Sequence, residues 1–177
     1  MPYHVQLDGL EEDRLGDAKF GSTRRGIAPV YSDKYMKKGI RMGDLLDPEP
    51  MLAHLKGVIE WKNLTVNGGY GAEPVKFEDM AAWLKQYGDV LKPFICDVSE
   101  YLEDAVAADK RIMFEAQLGA LRDIDFGIYP YTSSSSTIAA YAPIGAGIPG
   151  VKLNETIGIM KAYSSCVGEG PFTAELF

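Results

Sequence analysis

The chain has 177 residues, of which 46% are apolar and 24% charged, with a net charge of -7. This composition excludes disorder along the whole chain, and no run approaches the roughly 20 apolar residues of a membrane span. The length suggests a single domain. The N-terminal segment turns acidic where a secretory signal needs an apolar run, so we expect a cytoplasmic protein that does not contact a membrane.

The charge is distributed unevenly. Between residues 19 and 41 seven basic side chains face one acid, so this basic segment carries +6 and the rest of the chain -13 (Lys19, Arg24, Arg25, Lys34, Lys37, Lys38 and Arg41 against Asp33). Nucleic-acid binding favours a broader basic face, so we expect no nucleic-acid partner. The segment suits a small anion such as a phosphate, although a solvated loop and helix with the same charges is an equal alternative.

Helical patterns dominate the first part of the chain, residues 1–110. A short charged helix is predicted over 7–15, and another opens at Pro29 and ends at Gly39. Apolar residues recur at helical spacing over about 49–62, from Phe77 to Tyr87, and from Phe94 to Val106 after Pro93. We expect all three stripes to face a core.

The pattern changes after Lys110. The runs RIMFEA (111–116) and IGIMKAY (157–163) predict two buried strands, separated by a long loop. Two such strands cannot make a self-sufficient sheet, so they indicate a strand–loop–strand part, residues 111–177, of a larger sheet. The fold class is therefore α+β or α/β. Cys96 and Cys166 lie in apolar segments and are expected to be buried or half-buried thiols.

Three short segments carry possible chemistry. The loop GSTRRG (21–26) combines glycines, hydroxyls and guanidinium groups, which are the ligands of a phosphate monoester, but it is not a Walker A loop. The run TSSSST (132–137) offers hydroxyls that cap a helix or bind an anion; a serine linker is the alternative. Asp123 and Asp125 are expected to cap loops or pair with arginines more than to hold a metal.

Three longer segments, in order and along the whole chain, resemble adenylosuccinate synthetase, the ligase that joins IMP and L-aspartate with GTP. They are GSTRRGIAPVYSDKYMKKGIRMGDLLD (21–47), FEAQLGALRDIDFGIYPYTSSSST (114–137) and KAYSSCVGEGPFTAEL (161–176). The resemblance implies a large, mostly parallel, P-loop-like sheet surrounded by helices, to which this chain adds a helical part and two strands. It also implies a homodimer, and Mg²⁺ and GTP as cofactors of the complete enzyme.

The resemblance assigns IMP contacts only at matching positions. Thr23 and Ser133, with Thr132 beside it, match hydroxyls at the 5′-phosphate, and Lys37 replaces an arginine that reaches the phosphate of the neighbouring subunit. Val167 matches a residue near the ribose. Arg24 and Arg25 are further candidate phosphate contacts, from the loop composition rather than the family.

One departure concerns the base. The family glutamine that binds the hypoxanthine ring aligns with Leu118, and the glutamine of this chain stands one position earlier, at Gln117. In an extended segment a one-residue shift turns a side chain to the opposite face. Either the local backbone lets Gln117 reach the base, or base recognition differs here.

The family's catalytic P-loop-like segment and its aspartate-binding loop have no match among the 177 residues. We therefore expect no catalytic residue, no metal site and no cofactor of its own in this chain, and no turnover by it alone. Two further hypotheses stay open, namely a stand-alone purine-nucleotide-binding or interaction module, and a truncated reading frame without a selected function. Unpaired strand edges also predict self-association, for example as a dimer.

Overall fold

A computed structural model describes residues 1–116 and 118–172. Six α-helices occur in this part of the chain, namely α1 (Pro2–Leu15), α2 (Ile27–Met36), α3 (Pro48–Val66), α4 (Phe77–Leu91), α5 (Val98–Ala107) and α6 (Tyr141–Gly145). Short 3₁₀ turns lie at Gly16–Ala18, Met42–Leu46, Lys92–Phe94 and Ala120–Arg122. No helix of the described residues is both long and apolar enough to span a bilayer.

The chain divides into two compact units. The first unit comprises Met1–Asp17 and Thr23–Cys96, and therefore contains α1 to α4. The second unit comprises Ala18–Ser22 and the chain from Asp97 onward, with α5 and α6. The boundary near residue 110 that the sequence suggests stays a prediction.

The first unit is built around helix α3. Its predicted stripe is buried and packs with residues of α1 and α4, which confirms the core-facing helices near 49–62 and 77–87 (Met51, Leu55, Val58, Ile59 and Val66 of α3; Tyr3 and Leu7 of α1; Met80 and Leu84 of α4; Leu45 and Val75). Helix α3 continues past the predicted end at Lys62 to Val66. Helix α1 begins at Pro2, earlier than the charged pattern predicts, because Pro at the first helical position fits the start of a helix.

No residue of α5 is buried, so the prediction that its apolar stripe faces a core is wrong, although Leu102 is half-buried and Ile95, just before the helix, packs against the core of the first unit. Helix α5 begins after Asp97, whose carboxylate accepts hydrogen bonds from the amides of Ser99 and Glu100, and not at Pro93. The side chains of Val98 and Tyr101 are 53% and 68% exposed. Periodicity identifies an apolar face but not what covers it, and the described residues do not cover this one.

The predicted strands are also absent from the described residues. Residues 111–116 and 157–163 form no strand, and Met113 and Ile159 in them are 88% and 96% exposed. A strand forms when a neighbour supplies the partners for its backbone N–H and C=O groups. No neighbouring strand is present in the described part of the chain, so an apolar β-pattern alone does not produce one.

Both cysteines are exposed, against the expectation of burial. Cys96 follows the last turn of the first unit, and Cys166 stands beside Val167, which is 88% exposed. Apolar sequence neighbours predict a buried thiol only where those neighbours themselves enter a core.

Candidate phosphate-binding loops

The first loop, predicted over residues 21–28, ends in the structure at Gly26, because α2 begins at Ile27 directly after Gly26. The Gly26 φ of 81° lies in the left-handed region, and a Cβ there would lie 2.8 Å from the carbonyl carbon of His4. The Gly26 amide donates a buried hydrogen bond of 2.8 Å to Oδ2 of Asp8 on α1. Only glycine fits this approach, so Gly26 fixes how the chain enters α2.

The side chains before Gly26 face solvent. Thr23, Arg24 and Arg25 are all exposed, and Nη2 of Arg24 donates to Oδ1 of Asp13 at 2.6 Å. Arg25 also borders an open cleft of about 490 Å³ whose other walls are mainly apolar and include Trp83. All three side chains are therefore exposed in this loop, and their role at a phosphate stays a prediction.

The far end of α2 carries a second group of positive charges. Lys37 ends the helix with a left-handed φ of 59°, and its side chain is exposed. Nζ of Lys34 and of Lys38 lie 5.9 Å and 5.7 Å from the ring centroids of Tyr31 and Trp61, a range in which ammonium groups are attracted to aromatic faces. Basic side chains therefore occur at both ends of one ten-residue helix.

A buried ionic cluster lies beneath α2. Asp33 is completely buried, and its two carboxylate oxygens pair with Nε2 of His4 (2.8 Å) and with Nζ of Lys62. Burial raises the pKa of Asp33, but the hydrogen bonds from His4 and Lys62 outweigh it and hold that pKa below its ordinary value. Burial lowers the pKa of His4, so a neutral imidazole donates to an ionised Asp33.

Sequence reasoning missed this cluster. His4 and Lys62 are 29 residues from Asp33, and Asp33 is the one acid in the basic segment 19–41. The signal available was the position of Lys62, a lysine in line with the apolar face of α3. The Tyr3 hydroxyl is also buried here and has no hydrogen-bond partner among the described residues, and Nζ of Lys62 lies 5.5 Å from the Tyr3 ring centroid.

The second loop, in the second unit, is organised by Asp123. This carboxylate is 1% exposed and accepts hydrogen bonds from the amides of Thr137 (2.7 Å), Asp125 (2.9 Å) and Phe126 (3.1 Å). These bonds, that of Thr137 foremost, lower the pKa of Asp123. The loop-capping role expected for Asp123 is confirmed.

The hydroxyl run is folded onto this loop. The Ser133 amide donates to the Arg122 carbonyl at 2.8 Å, and the Ser133 and Ser135 hydroxyl oxygens lie 3.2 Å apart. Thr132 and Ser133 are both half-buried. Arg122 donates from its guanidinium to the Tyr131 carbonyl oxygen and contacts Sγ of Cys166. Ordered serines of this kind do not behave as a flexible linker.

The glycine-rich segment near the end of the described chain meets residues 20–21. The Glu169 amide donates to the Phe20 carbonyl at 2.9 Å, and a Cβ on Gly21 would lie 2.8 Å from that amide nitrogen. Val167 itself is exposed in this segment. Gln117 lies outside the described residues, and its neighbour Leu118 has a left-handed φ of 80°.

The described residues contain no group of three or more His, Cys, Asp or Glu side chains that could hold a metal ion. No reaction step through Mg²⁺ is assigned to these residues.

A family model for adenylosuccinate synthetase matches residues 1–177. The chain belongs to the adenylosuccinate synthetase family. The adenylosuccinate synthetase of Symbiobacterium thermophilum is 45% identical over 176 residues, and that of Lactiplantibacillus plantarum 43% over 177. These alignments cover 99% and 100% of this chain but 41% of either relative, so the chain spans about two-fifths of their length.

A solved structure of fully ligated adenylosuccinate synthetase from Plasmodium falciparum is similar as well. It superimposes with a TM-score of 0.87 at 32% identity, and the match covers 97% of this chain and 40% of that one. The family expected from the three sequence segments is thus confirmed. The described residues share the fold of the matched part of that α/β enzyme, whereas the two strands expected in this chain are absent from its described residues.

Proposed function

We propose that this chain binds IMP as part of an adenylosuccinate synthetase. The family match over all 177 residues carries the proposal. Thr23 and Ser133, with Thr132, donate hydroxyl hydrogen bonds to the 5′-phosphate, and Arg24 and Arg25 add charge. Lys37 binds the phosphate of the IMP molecule that a neighbouring copy of the chain holds in a dimer.

Two further residues complete the proposed IMP contacts. Gln117 binds the hypoxanthine ring, and the backbone at Val167 lies against the ribose. Left-handed backbone at Leu118 and Gly119 (φ of 80° and 71°) supports the role of Gln117, because two consecutive residues of this kind interrupt an extended segment and break its strict alternation of side chains. A backbone of this shape offers a way to offset the one-residue shift of the glutamine.

The reaction of the whole enzyme joins IMP and L-aspartate at the expense of GTP, and gives adenylosuccinate, GDP and phosphate in purine biosynthesis in the cytoplasm. Mg²⁺ and GTP supply the phosphoryl chemistry when bound, and such transfer depends on positioning and charge neutralisation. The role we propose for these 177 residues is to hold the phosphate of IMP. We expect no adenylosuccinate from this polypeptide alone, and measurable turnover by it would contradict this division of roles.

Calorimetry with IMP tests the proposed contacts. Thr23→Ala removes a hydroxyl donor to a charged group, a bond worth about 1.5–3 kcal/mol, so the dissociation constant for IMP should rise tenfold or more. Thr65→Ala is the matched control, because Thr65 is an exposed threonine of the same unit on α3. Equal affinities of the Thr23 and Thr65 variants would remove Thr23 from the site, and no heat from the unmodified chain at millimolar IMP would refute binding.

A second candidate function is docking to the rest of a synthetase polypeptide. The predicted strand 157–163 supports it, because Ile157, Ile159 and Met160 are 76%, 96% and 89% exposed. We propose that 111–116 and 157–163 become strands when a polypeptide matching the remaining length of the relatives pairs with them. Co-expression with that remainder should give a stable complex with more strand signal in circular dichroism, and the absence of a complex would contradict docking.

Self-association is the corresponding proposal for the chain alone. The same exposed apolar side chains would be covered in a dimer. Sedimentation should show a species heavier than 19.4 kDa at micromolar concentration. A clean monomer under those conditions would refute a dimer.

A further inference from the structure

Helix α2 is attached to the other helices of the first unit by polar and charged groups rather than by an apolar stripe. Its buried residue is Asp33, and Tyr31 is half-buried, whereas its other larger apolar side chains are exposed (Ile27, Val30, Tyr35 and Met36). Helix α3, by contrast, buries five apolar side chains. The contacts of Asp33 and the close approach of Gly26 to α1 therefore determine where α2 lies.

Asp33 receives one donor from each of two helices. Nε2 of His4 comes from α1, and Nζ of Lys62 from α3, and all three side chains are buried. A buried ion pair forms only where the geometry is good and the remaining lone pairs are hydrogen-bonded. The two donors consequently fix both the rotation of α2 about its axis and its position along that axis.

The basic residues at the ends of α2 depend on this attachment. Arg24 and Lys37, which flank the helix, have left-handed φ angles of 55° and 59°. Such angles are unfavourable for residues with a Cβ and persist only where the surrounding structure holds them. A ten-residue helix transmits any displacement of its middle to both ends, so release of Asp33 would move both basic groups.

Resting on the proposed function, we propose that Asp33, Lys62 and His4 are positioning residues for phosphate binding. They touch no ligand. They hold Thr23 and the basic ends of α2 in the geometry that a phosphate monoester needs before it arrives. Lys62 also neutralises the Asp33 charge, so that this buried acid does not cancel the positive potential of the surrounding basic segment.

The double variant Asp33→Asn/Lys62→Met tests this role, because removing both charges leaves no uncompensated ion inside the protein. It should fold, as circular dichroism would show. Its dissociation constant for IMP should rise at least tenfold, and the weakening of IMP binding by added salt should be reduced, since fewer cations remain at the phosphate. A role in stability alone would leave affinity and salt dependence unchanged at a temperature where the variant is folded, and that result would overturn the proposal.

Asp89→Asn is the matched control, because Asp89 forms exposed ion pairs with Lys85 and Lys92 on α4 and at its end. It should bind IMP as the unmodified chain does. If the double variant does not fold, His4→Phe replaces it as the test of positioning. This substitution removes one donor to Asp33 but keeps an aromatic ring at position 4 and the Asp33–Lys62 pair. A raised dissociation constant in that folded variant supports positioning, and an unchanged one refutes it.

Amide hydrogen exchange separates this inference from the proposed function. If the unmodified chain binds no IMP, the proposed function fails, but the attachment of α2 is still measurable without ligand. In the double variant, or in His4→Phe if the double variant does not fold, amide exchange should accelerate at least tenfold over residues 23–38 and stay unchanged over α4. Equal exchange over residues 23–38 in that variant and in Asp89→Asn would overturn the positioning role.

Discussion

The two units of this chain are stabilised in different ways. The first contains a contiguous apolar core around α3, with the charged cluster of Asp33 at its edge. In the second, Pro143 and Ile148 are the buried apolar residues of the described part, and the backbone is organised by the amides that converge on Asp123. The first unit therefore has an apolar core of its own, whereas many apolar side chains of the second unit are exposed.

Asp33→Ala should destabilise the first unit more than any other single substitution considered below. It leaves the buried Lys62 without its counter-ion, which costs about 3–5 kcal/mol of unfolding free energy. Trp61 and Trp83, the two tryptophans of the chain, both lie in the first unit, so tryptophan fluorescence reports on it selectively. A denaturation midpoint equal to that of the unmodified chain would show that the cluster does not stabilise this unit.

Leu55→Ala should have the next largest effect. Leu55 is completely buried in the core of α3, and truncation of a buried leucine costs about 2–5 kcal/mol through lost burial and the cavity that remains. The tryptophan-detected midpoint should fall, and circular dichroism should show a less helical chain at the same temperature. The exposed leucine of the same helix, Leu64, is the control, and Leu64→Ala should leave the midpoint nearly unchanged.

The units should also respond to different ranges of pH. In the first, burial gives His4 a lowered pKa in the fold, so below about pH 6.5 the unfolded chain binds more protons and stability decreases as the pH falls. In the second, Asp123 has a lowered pKa, so its stabilisation is complete above about pH 4–5 and is lost as the pH falls further.

Two measurements test this difference in pH dependence between the units. The stability of the first unit, followed by tryptophan fluorescence, should decrease from pH 7 to pH 5, and this pH dependence should diminish in His4→Phe. Hydrogen exchange over residues 119–137 should accelerate only below about pH 4, after correction for intrinsic exchange. A loss of protection over 119–137 at pH 6 would contradict the assignment of Asp123 as the organiser of that loop.

The smallest expected effect comes from an exposed ion pair. Asp89→Asn removes the partner of Lys85 and Lys92 at the protein surface, where ion pairs contribute little because water and salt screen them. We expect no resolvable change in the fluorescence midpoint. A marked loss would mean that surface charge stabilises the first unit as strongly as the buried cluster does.

The sequence predicts the first unit better than the second for a physical reason. Apolar residues at helical spacing over α3 and α4 specify local hydrogen bonding and a shared core, and both are satisfied within the unit. The stripe of α5 and the β-patterns at 111–116 and 157–163 specify faces and strands whose partners are not among the described residues. Local pattern cannot supply a neighbouring strand.

The candidate site was predictable to a similar degree. The composition of residues 21–26 predicts a phosphate loop, and the family resemblance adds Thr23 and Ser133. The cluster of His4, Asp33 and Lys62 was not predictable, because its members are far apart in sequence and each alone has an ordinary interpretation. What unites them is burial, which depends on the packing of three helices.

The most direct test of phosphate recognition is to follow the ³¹P resonance of IMP while the unmodified 177-residue chain is added. We predict a saturable shift of the 5′-phosphate signal. The shift should be absent when buffer without the chain is added, should be reduced by salt, and should be lost in Thr23→Ala. An IMP signal unchanged by millimolar chain, or a shift that survives Thr23→Ala undiminished, would contradict phosphate recognition by the loop that precedes α2.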